Sequence, residues 1–336
     1  MKISDFDTDK KVLIVAEIGN NHEGSNSLAE EMIVSAAEAG ADAVKFQTIR
    51  AAHLVSPSDQ GRFEQLKAFE LSSDVFSRLK RVADEAEIIF ISTPFDLGVV
   101  DFLSPLVSAF KISSGDNTFY PLIERVAETG KPIIMSCGLA GLPQLQYARA
   151  LIDKVWYDTG AEVEMAVLHC VTAYPVSRKD ANLALIRVLQ DQLGCTAGYS
   201  DHTLGIDAAV ASVAAGARIV EKHFTLNKHQ SDYRDHQLSA DPDDLALMVQ
   251  RIREVEELLG PGEKKLLRCE QDLLLPVRRS IVAARDLKAG EPVVWEDISW
   301  TRPAGGLQPG QEHLVLGRTL VRNIVQGDGI MPEDVK

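Results

Sequence analysis

Eight short hydrophobic runs recur through the first 260 or so residues, and helical periodicity fills the intervals between them. The runs are 12–18 (VLIVAEI), 42–47 (DAVKFQ), 87–92 (EIIFIS), 107–112 (VSAFKI), 131–136 (KPIIMS), 163–169 (VEMAVLH), 195–199 (CTAGY) and 217–223 (ARIVEKH). In intervals such as SLAEEMIVSAAEAG and SSDVFSRLKRVADEA, apolar residues return every three or four positions. Several intervals close on glycine, as helix C-termini do. Strands that are apolar at nearly every position are buried on both faces, the pattern of a parallel sheet covered by helices. Eight of them in about 250 residues predict closure into a (β/α)8 barrel. The competing arrangement is an open doubly wound sheet. It loses because no glycine-rich dinucleotide loop is present and polar residues follow nearly every run instead of gathering at one crevice.

Helical periodicity continues through DPDDLALMVQRIREVEELLG and stops at Gly260, Pro261 and Gly262. After about residue 275 short strand-like runs, turns and glycines take over, as in VRRSIVAARDLKAGEPVVWEDISW. The predicted division is a barrel over 1–265, a linker over 266–277 and a small β-rich domain over 278–336. At roughly 60 residues such a domain is near the size where an independent core becomes marginal, and it gains from docking on a barrel. The formal net charge of -14 argues against a nucleic-acid surface, although it leaves room for a locally positive pocket. With no signal-peptide pattern and no apolar run of spanning length, a cytoplasmic protein without membrane contact is expected. The four cysteines lack metal-finger or CxxC spacing, and most of them read as reduced core thiols.

The chemistry-bearing residues stand at the ends of the runs. His202 (in GYSDHT) and His223 (in EKHFT) end two successive runs separated by one helical interval. A strand–helix–strand unit sets successive strand ends side by side, which puts both imidazoles on one rim. Each alone reads more readily as a structural histidine; together, flanked by Asp201 and Glu221, they suit a divalent ion with open positions for substrate. Lys45 and Lys111 end two earlier runs, accompanied by Thr93, Ser113, Ser114, Ser136 and Ser200, and this set reads as an anion site. The alternative is that the lysines pair with a buried glutamate. Glu17, beside Asn20, Asn21 and His22, is a candidate for proton transfer or hydroxyl recognition, or an ion-pair partner for a rim lysine.

In this order the motifs AEIGNNHEG, DAVKFQ, STPFD, FKISSGD, MSCG, LHCVTAYP, GYSDHT and EKHFT, followed by RRSIVAARDLKAGE and RPAGGLQPG, resemble the sialic acid (N-acetylneuraminate) synthase family. That family includes legionaminate and pseudaminate synthases and spore-coat polysaccharide relatives. The resemblance implies a TIM barrel followed by an antifreeze-like (SAF) domain. The implied reaction is attack of phosphoenolpyruvate on an open-chain N-acylated or deoxy amino hexose, giving a nonulosonic acid with phosphate released by C–O cleavage. It further implies that Lys45, Thr93, Lys111, Ser114, Ser136, Thr172 and Ser200 hold phosphoenolpyruvate. By the same resemblance His202 and His223 bind Mn²⁺, with Mg²⁺ or Co²⁺ as alternatives. Glu17, Gln47, Tyr174, Asp235 and Arg302 would face the sugar, and Glu17, Lys45, Lys111, His202 and His223 would be catalytic. A domain-swapped homodimer is implied, with Arg302 contributed by the partner's small domain. Two features depart from the family. Thr172 stands where asparagine or serine is usual, and the loop from Asn227 to Asp235 is about one residue longer and has no proline before Asp235. Both lie on the acceptor side, so selectivity is expected to differ from that of N-acetylmannosamine enzymes. Competing readings are a metal-dependent aldolase on the same fold, a synthase of another 3-deoxy sugar acid, and a non-enzymatic carbohydrate-binding protein.

Overall fold

The computed structural model describes residues 1–336 and divides them into two compact units, Met1–Gly260 and Pro261–Lys336. The first unit opens with a small antiparallel hairpin, β1 (Lys2–Ile3) and β2 (Phe6–Asp7). Eight parallel strands follow: β3 (Leu13–Gly19), β4 (Ala43–Thr48), β5 (Ile89–Pro94), β6 (Ala109–Ile112), β7 (Ile133–Ser136), β8 (Met165–Cys170), β9 (Thr196–Asp201) and β10 (Ile219–His223). They close in sequence order, with β10 pairing back onto β3. The barrel drawn from the hydrophobic runs is therefore the observed one.

Helices begin where the sequence offers caps. Ser25, Ser72 and Asp241 accept the N–H groups of Leu28, Val75 and Asp244 and start the helices Asn26–Glu38, Ser73–Glu85 and Pro242–Leu259. Alternate strand residues face opposite ways. Ile14, Ala16, Val44, Phe46, Phe90, Phe110, Val167 and Val220 pack outward against the helices in the main core. Leu13, Val15, Ala43, Ile91, Ala109, Ile134, Leu168 and Ile219 fill the barrel interior together with Met1 and Ile3, so the hairpin plugs the floor. Following the inward parity upward leads from apolar to polar residues: Val15 to Glu17, Ala43 to Lys45, Ala109 to Lys111 and Ile219 to Glu221 and His223. The interior is thus closed below and polar above.

Several strands extend beyond the hydrophobic runs at their C-terminal ends. β9 continues through Ser200 and Asp201, and β5 through Thr93 and Pro94. At the end of β9 the polar residues are satisfied by β10, Ser200 by Glu221 and Asp201 by Lys222.

The second unit carries the short helix Leu274–Val277 and the antiparallel pair β11 (Ser280–Ala283) and β12 (Ile298–Thr301). Isolated bridges such as Leu287–Ile324 and Pro292–Thr319 add to its β-rich character. Its own core includes Ile281, Leu287, Val293, Val315, Leu320, Ile324 and Ile330. No helix of either unit is long and apolar enough to cross a membrane.

Candidate active site

Four charged side chains meet inside the upper barrel. Lys45 Nζ lies 2.9 Å from Glu221 Oε2 and 3.4 Å from Glu17 Oε2, while Lys111 Nζ lies 3.1 Å from Glu221 Oε1. Glu221 also accepts the Ser200 hydroxyl at 2.9 Å. All four charged groups are buried. Burial opposes the Lys45 ammonium, but Glu17 and Glu221 outweigh it and raise its pKa above the usual lysine value. Lys111 goes the other way, to about 8, because burial dominates and Lys45 repels it, while Glu221 only partly compensates. Burial likewise opposes the Glu221 carboxylate, and Lys111 and Lys45 overcome it and hold its pKa low. Burial raises Glu17 more than Lys45 lowers it. Lys45 and Lys111 are thus ion-paired with glutamates, as the alternative reading of the sequence had it, and still stand beside the expected anion-binding hydroxyls. Glu221, which joins the two lysines, was noted from sequence only as a neighbour of His223. Its inward parity two positions before the histidine was the available signal.

Beside this network is a group of hydroxyls with nothing to bond. Ser114 Oγ, Ser136 Oγ and Thr172 Oγ1 are buried and lack a hydrogen-bond partner. A Cβ added at Gly138 would fall 2.3 Å from Thr172 Oγ1 and 2.6 Å from Ser114 Oγ, so only glycine leaves that space open. Asn117 holds the rim segment in place by donating from Nδ2 to the carbonyls of Ser136 and Gly138. Buried hydroxyls without partners cost free energy unless a ligand satisfies them. Thr93 is buried at the inward parity of β5. Ser113 is not part of the group, because its hydroxyl is taken by Asp116 at 2.6 Å.

The two histidine rings lie 5.4 Å apart, centroid to centroid. His202 Nδ1 sits 2.9 Å from the Val171 carbonyl, which fixes the proton there and leaves Nε2 as a lone-pair donor. His223 Nδ1 is buried with no partner, and burial lowers the pKa of the ring. Two imidazoles, each with a ring nitrogen free of protein partners, suit a divalent ion. No group of three or more His, Cys, Asp or Glu forms a fuller cage, so further ligands would come from substrate and water. Asp201 does not join the histidines; it points outward, where it pairs with Lys222.

At the ends of β3 and β4 Gln47 donates to Glu17 Oε1 at 2.9 Å and accepts from Asn20 Nδ2 at 2.8 Å. A bulge between Glu17 and Gly19 aims this pair: Gly19 has φ 55°, and a Cβ there would crowd Glu17 Oε1 and Gln47 Nε2 at 3.2 Å each. Tyr174 lies over His202, with centroids 4.2 Å apart, and the Arg234 guanidinium lies 4.5 Å from the Tyr174 ring centroid. Arg234 Nε reaches Asp235 Oδ1 at 3.2 Å. The loop bearing them is fastened by buried His236, which contacts Thr225 Oγ1 at 2.8 Å and Glu23 Oε1 at 2.9 Å. Tyr174 and Asp235 are therefore linked through Arg234, a residue that drew no attention from sequence because a loop arginine is ordinarily a solvated one. Arg302 belongs to the second unit and is exposed.

Family profiles match the chain in two places: the NeuB family over residues 32–264 and the SAF domain over residues 278–336. The N,N'-diacetyllegionaminic acid synthase of Legionella pneumophila is 38% identical, over 96% of this chain and 94% of its own. The pseudaminic acid synthase of Campylobacter jejuni is 33% identical, with 100% of both chains covered. Among solved structures, the N-acetylneuraminic acid (sialic acid) synthetase of Leptospira borgpetersenii is 33% identical with a TM-score of 0.73, covering 78% of this chain and 90% of that one.

Proposed function

The chain belongs to the NeuB family, and from that premise we propose that the upper barrel condenses phosphoenolpyruvate with an amino or deoxy hexose to give a nonulosonic acid. The observation that carries this reading is the convergence of two buried lysines with three buried hydroxyls that have no partner of their own. Phosphate and carboxylate oxygens are the ligand chemistry such a cradle lacks. Lys45 and Lys111 would neutralise the phosphoenolpyruvate oxyanions, with Ser114, Ser136, Thr172 and Thr93 as neutral donors. Ser200 would act through Glu221, whose carboxylate it already bonds. Glu221 keeps the two ammonium groups apart and aimed.

Carbon 3 of the enolpyruvate would attack the aldehyde carbon of the open-chain sugar, water would add at carbon 2, and the C–O bond to phosphate would break. The products are the nine-carbon acid and inorganic phosphate. His202 and His223 would hold a divalent ion, Mn²⁺ first and Mg²⁺ or Co²⁺ as alternatives, and when bound it would supply Lewis acidity to the aldehyde oxygen. Glu17, held by Gln47 and Lys45, would orient a sugar hydroxyl or move a proton. Tyr174, Asp235 and Gln47 would complete the acceptor side, with Arg302 supplied from the partner chain of a domain-swapped homodimer.

The test is a panel assay of phosphoenolpyruvate and divalent metal with N-acetylmannosamine, its 6-phosphate, mannose and diamino-trideoxy hexoses, read by phosphate release and product mass. A deoxy or diamino sugar is the expected best acceptor. A clear preference for N-acetylmannosamine over every such sugar defeats the choice of acceptor, and phosphate release with none of them defeats the reaction.

A further inference from the structure

The most deeply buried ion pair of the barrel is not in its mouth but on the opposite face of the same two strands. Asp201 and Lys222 are register partners on β9 and β10, and each immediately precedes one of the two histidines. Their side chains are 0% and 1% exposed, with Lys222 Nζ 2.9 Å from Asp201 Oδ2. Lys222 Nζ also donates to the Thr203 carbonyl at 2.5 Å, while Asp201 Oδ1 accepts the Thr203 N–H at 2.8 Å and the Tyr199 hydroxyl at 3.2 Å. The residue before His202 and the residue after it are thereby both fastened to the residue before His223. The Val176 N–H completes the hold by donating to the His202 carbonyl at 2.9 Å.

We propose that Asp201 and Lys222 are positioning residues that set the spacing of His202 and His223, and with it the affinity of the mouth for a divalent ion. This rests on the reading that the histidine pair holds such an ion. His202 is oriented by the Val171 carbonyl, but the free nitrogen of His223 is held by no hydrogen bond, so its place depends on the backbone beneath it. Ligating groups must be fixed to within about half an ångström. A buried ion pair is a poor way to gain stability, since well-packed apolar residues do as well. Here it instead ties two ligand-bearing strand ends together at the last position before each ligand.

The experiment compares wild type, Lys222→Met, the double variant Asp201→Asn/Lys222→Met, and Asp201→Glu. Mn²⁺ affinity is measured by titration with electron paramagnetic resonance of free Mn²⁺, and thermal melting is measured on the metal-free proteins. Lys222→Met strands a buried carboxylate, so it should melt early and bind Mn²⁺ weakly. In the double variant no charge is stranded: melting should return close to wild type while Mn²⁺ binding stays roughly 10–100-fold weaker, the usual effect of losing a ligand's support. Asp201→Glu retains the ion pair but lengthens the arm holding Thr203, and should bind Mn²⁺ several-fold more weakly while still folded. Wild-type Mn²⁺ affinity in a folded double variant and in Asp201→Glu overturns the proposal alone. No Mn²⁺ binding by wild type, or undiminished binding by His202→Ala, overturns the histidine reading beneath it and the proposal with it.

Discussion

At the level of single residues, the mouth of the barrel holds opposed charges close to balance, and this decides what substitution does. Lys111 shares Glu221 with Lys45, so Lys111→Met leaves Lys45 alone against Glu17 and Glu221, a net negative trio where an anion must enter. The loss of a charge-assisted bond in a desolvated site costs about 2–5 kcal/mol, or roughly 30-fold to several thousand-fold in capture. Steady-state kinetics of Lys111→Met should show that loss in kcat/KM for phosphoenolpyruvate; unchanged kinetics in Lys45→Met and Lys111→Met alike would remove both from the site. A second residue sets a pH dependence of stability. His22 is buried, accepts the Gly24 N–H at Nδ1 and is pushed down to about 4 from 6.5, chiefly by burial. As pH falls through 6.5 the unfolded chain takes up a proton that the folded chain refuses, so stability is lost between pH 6.5 and about 4. The full effect is about 3 kcal/mol. Urea unfolding of wild type and His22→Asn at pH 7 and pH 4.5 should show their difference shrinking by an amount of that order, and a difference independent of pH refutes the assignment.

Among the elements, the eight strands were legible because a strand buried on both faces must be apolar at nearly every position, and the resulting runs stand out against amphipathic helices. The floor hairpin was not, because Lys2–Ile3 and Phe6–Asp7 are too short to carry a period, and Met1 and Ile3 matter only once a barrel exists to be plugged. Ile3→Ala should therefore destabilise by about 2–4 kcal/mol in urea unfolding, as for other large-to-small changes in a core; a change near zero would show that the plug is dispensable. Site residues at strand ends were legible by position, but their orientation needed the ladder. Asp201 and His202 are adjacent in sequence and serve opposite faces, and Ser113 bonds Asp116 while the Ser114 hydroxyl stands with those of Ser136 and Thr172 without a protein partner. The loop from Asn227 to Asp235 was read as a departure from the family pattern, without a structure to give it meaning. Arg234 supplies that meaning by joining the Tyr174 ring to Asp235. Arg234→Ala should raise KM for the sugar about 10-fold, the cost of one hydrogen bond together with the cation–π contact, and leave KM for phosphoenolpyruvate near wild type. An equal rise for both substrates would place Arg234 outside the acceptor side.

For the whole molecule, the question is why a barrel with a complete charged floor to its site carries a second unit at all. The second unit has a core of its own, its segment 266–277 exposes Leu266, Leu267, Leu273 and Leu275, and Trp295 is exposed on a separate turn. Apolar side chains in that number favour a covered surface, and in the proposed homodimer the surface covering them would belong to the partner. Two-fold symmetry would then make both active sites composite, each with one barrel's histidines and the other chain's Arg302. Subunit mixing separates this from a site built within one chain. One inactive protein carries His202→Ala and the other Arg302→Ala, and the two are incubated until mass spectrometry of the intact assembly records exchanged dimers. In a swapped dimer the heterodimer has one site with both lesions and one with neither, so activity should return towards half the wild-type value per heterodimer. In an unswapped dimer every site keeps one lesion. Exchange without recovery of activity would then leave the second unit acting on its own barrel.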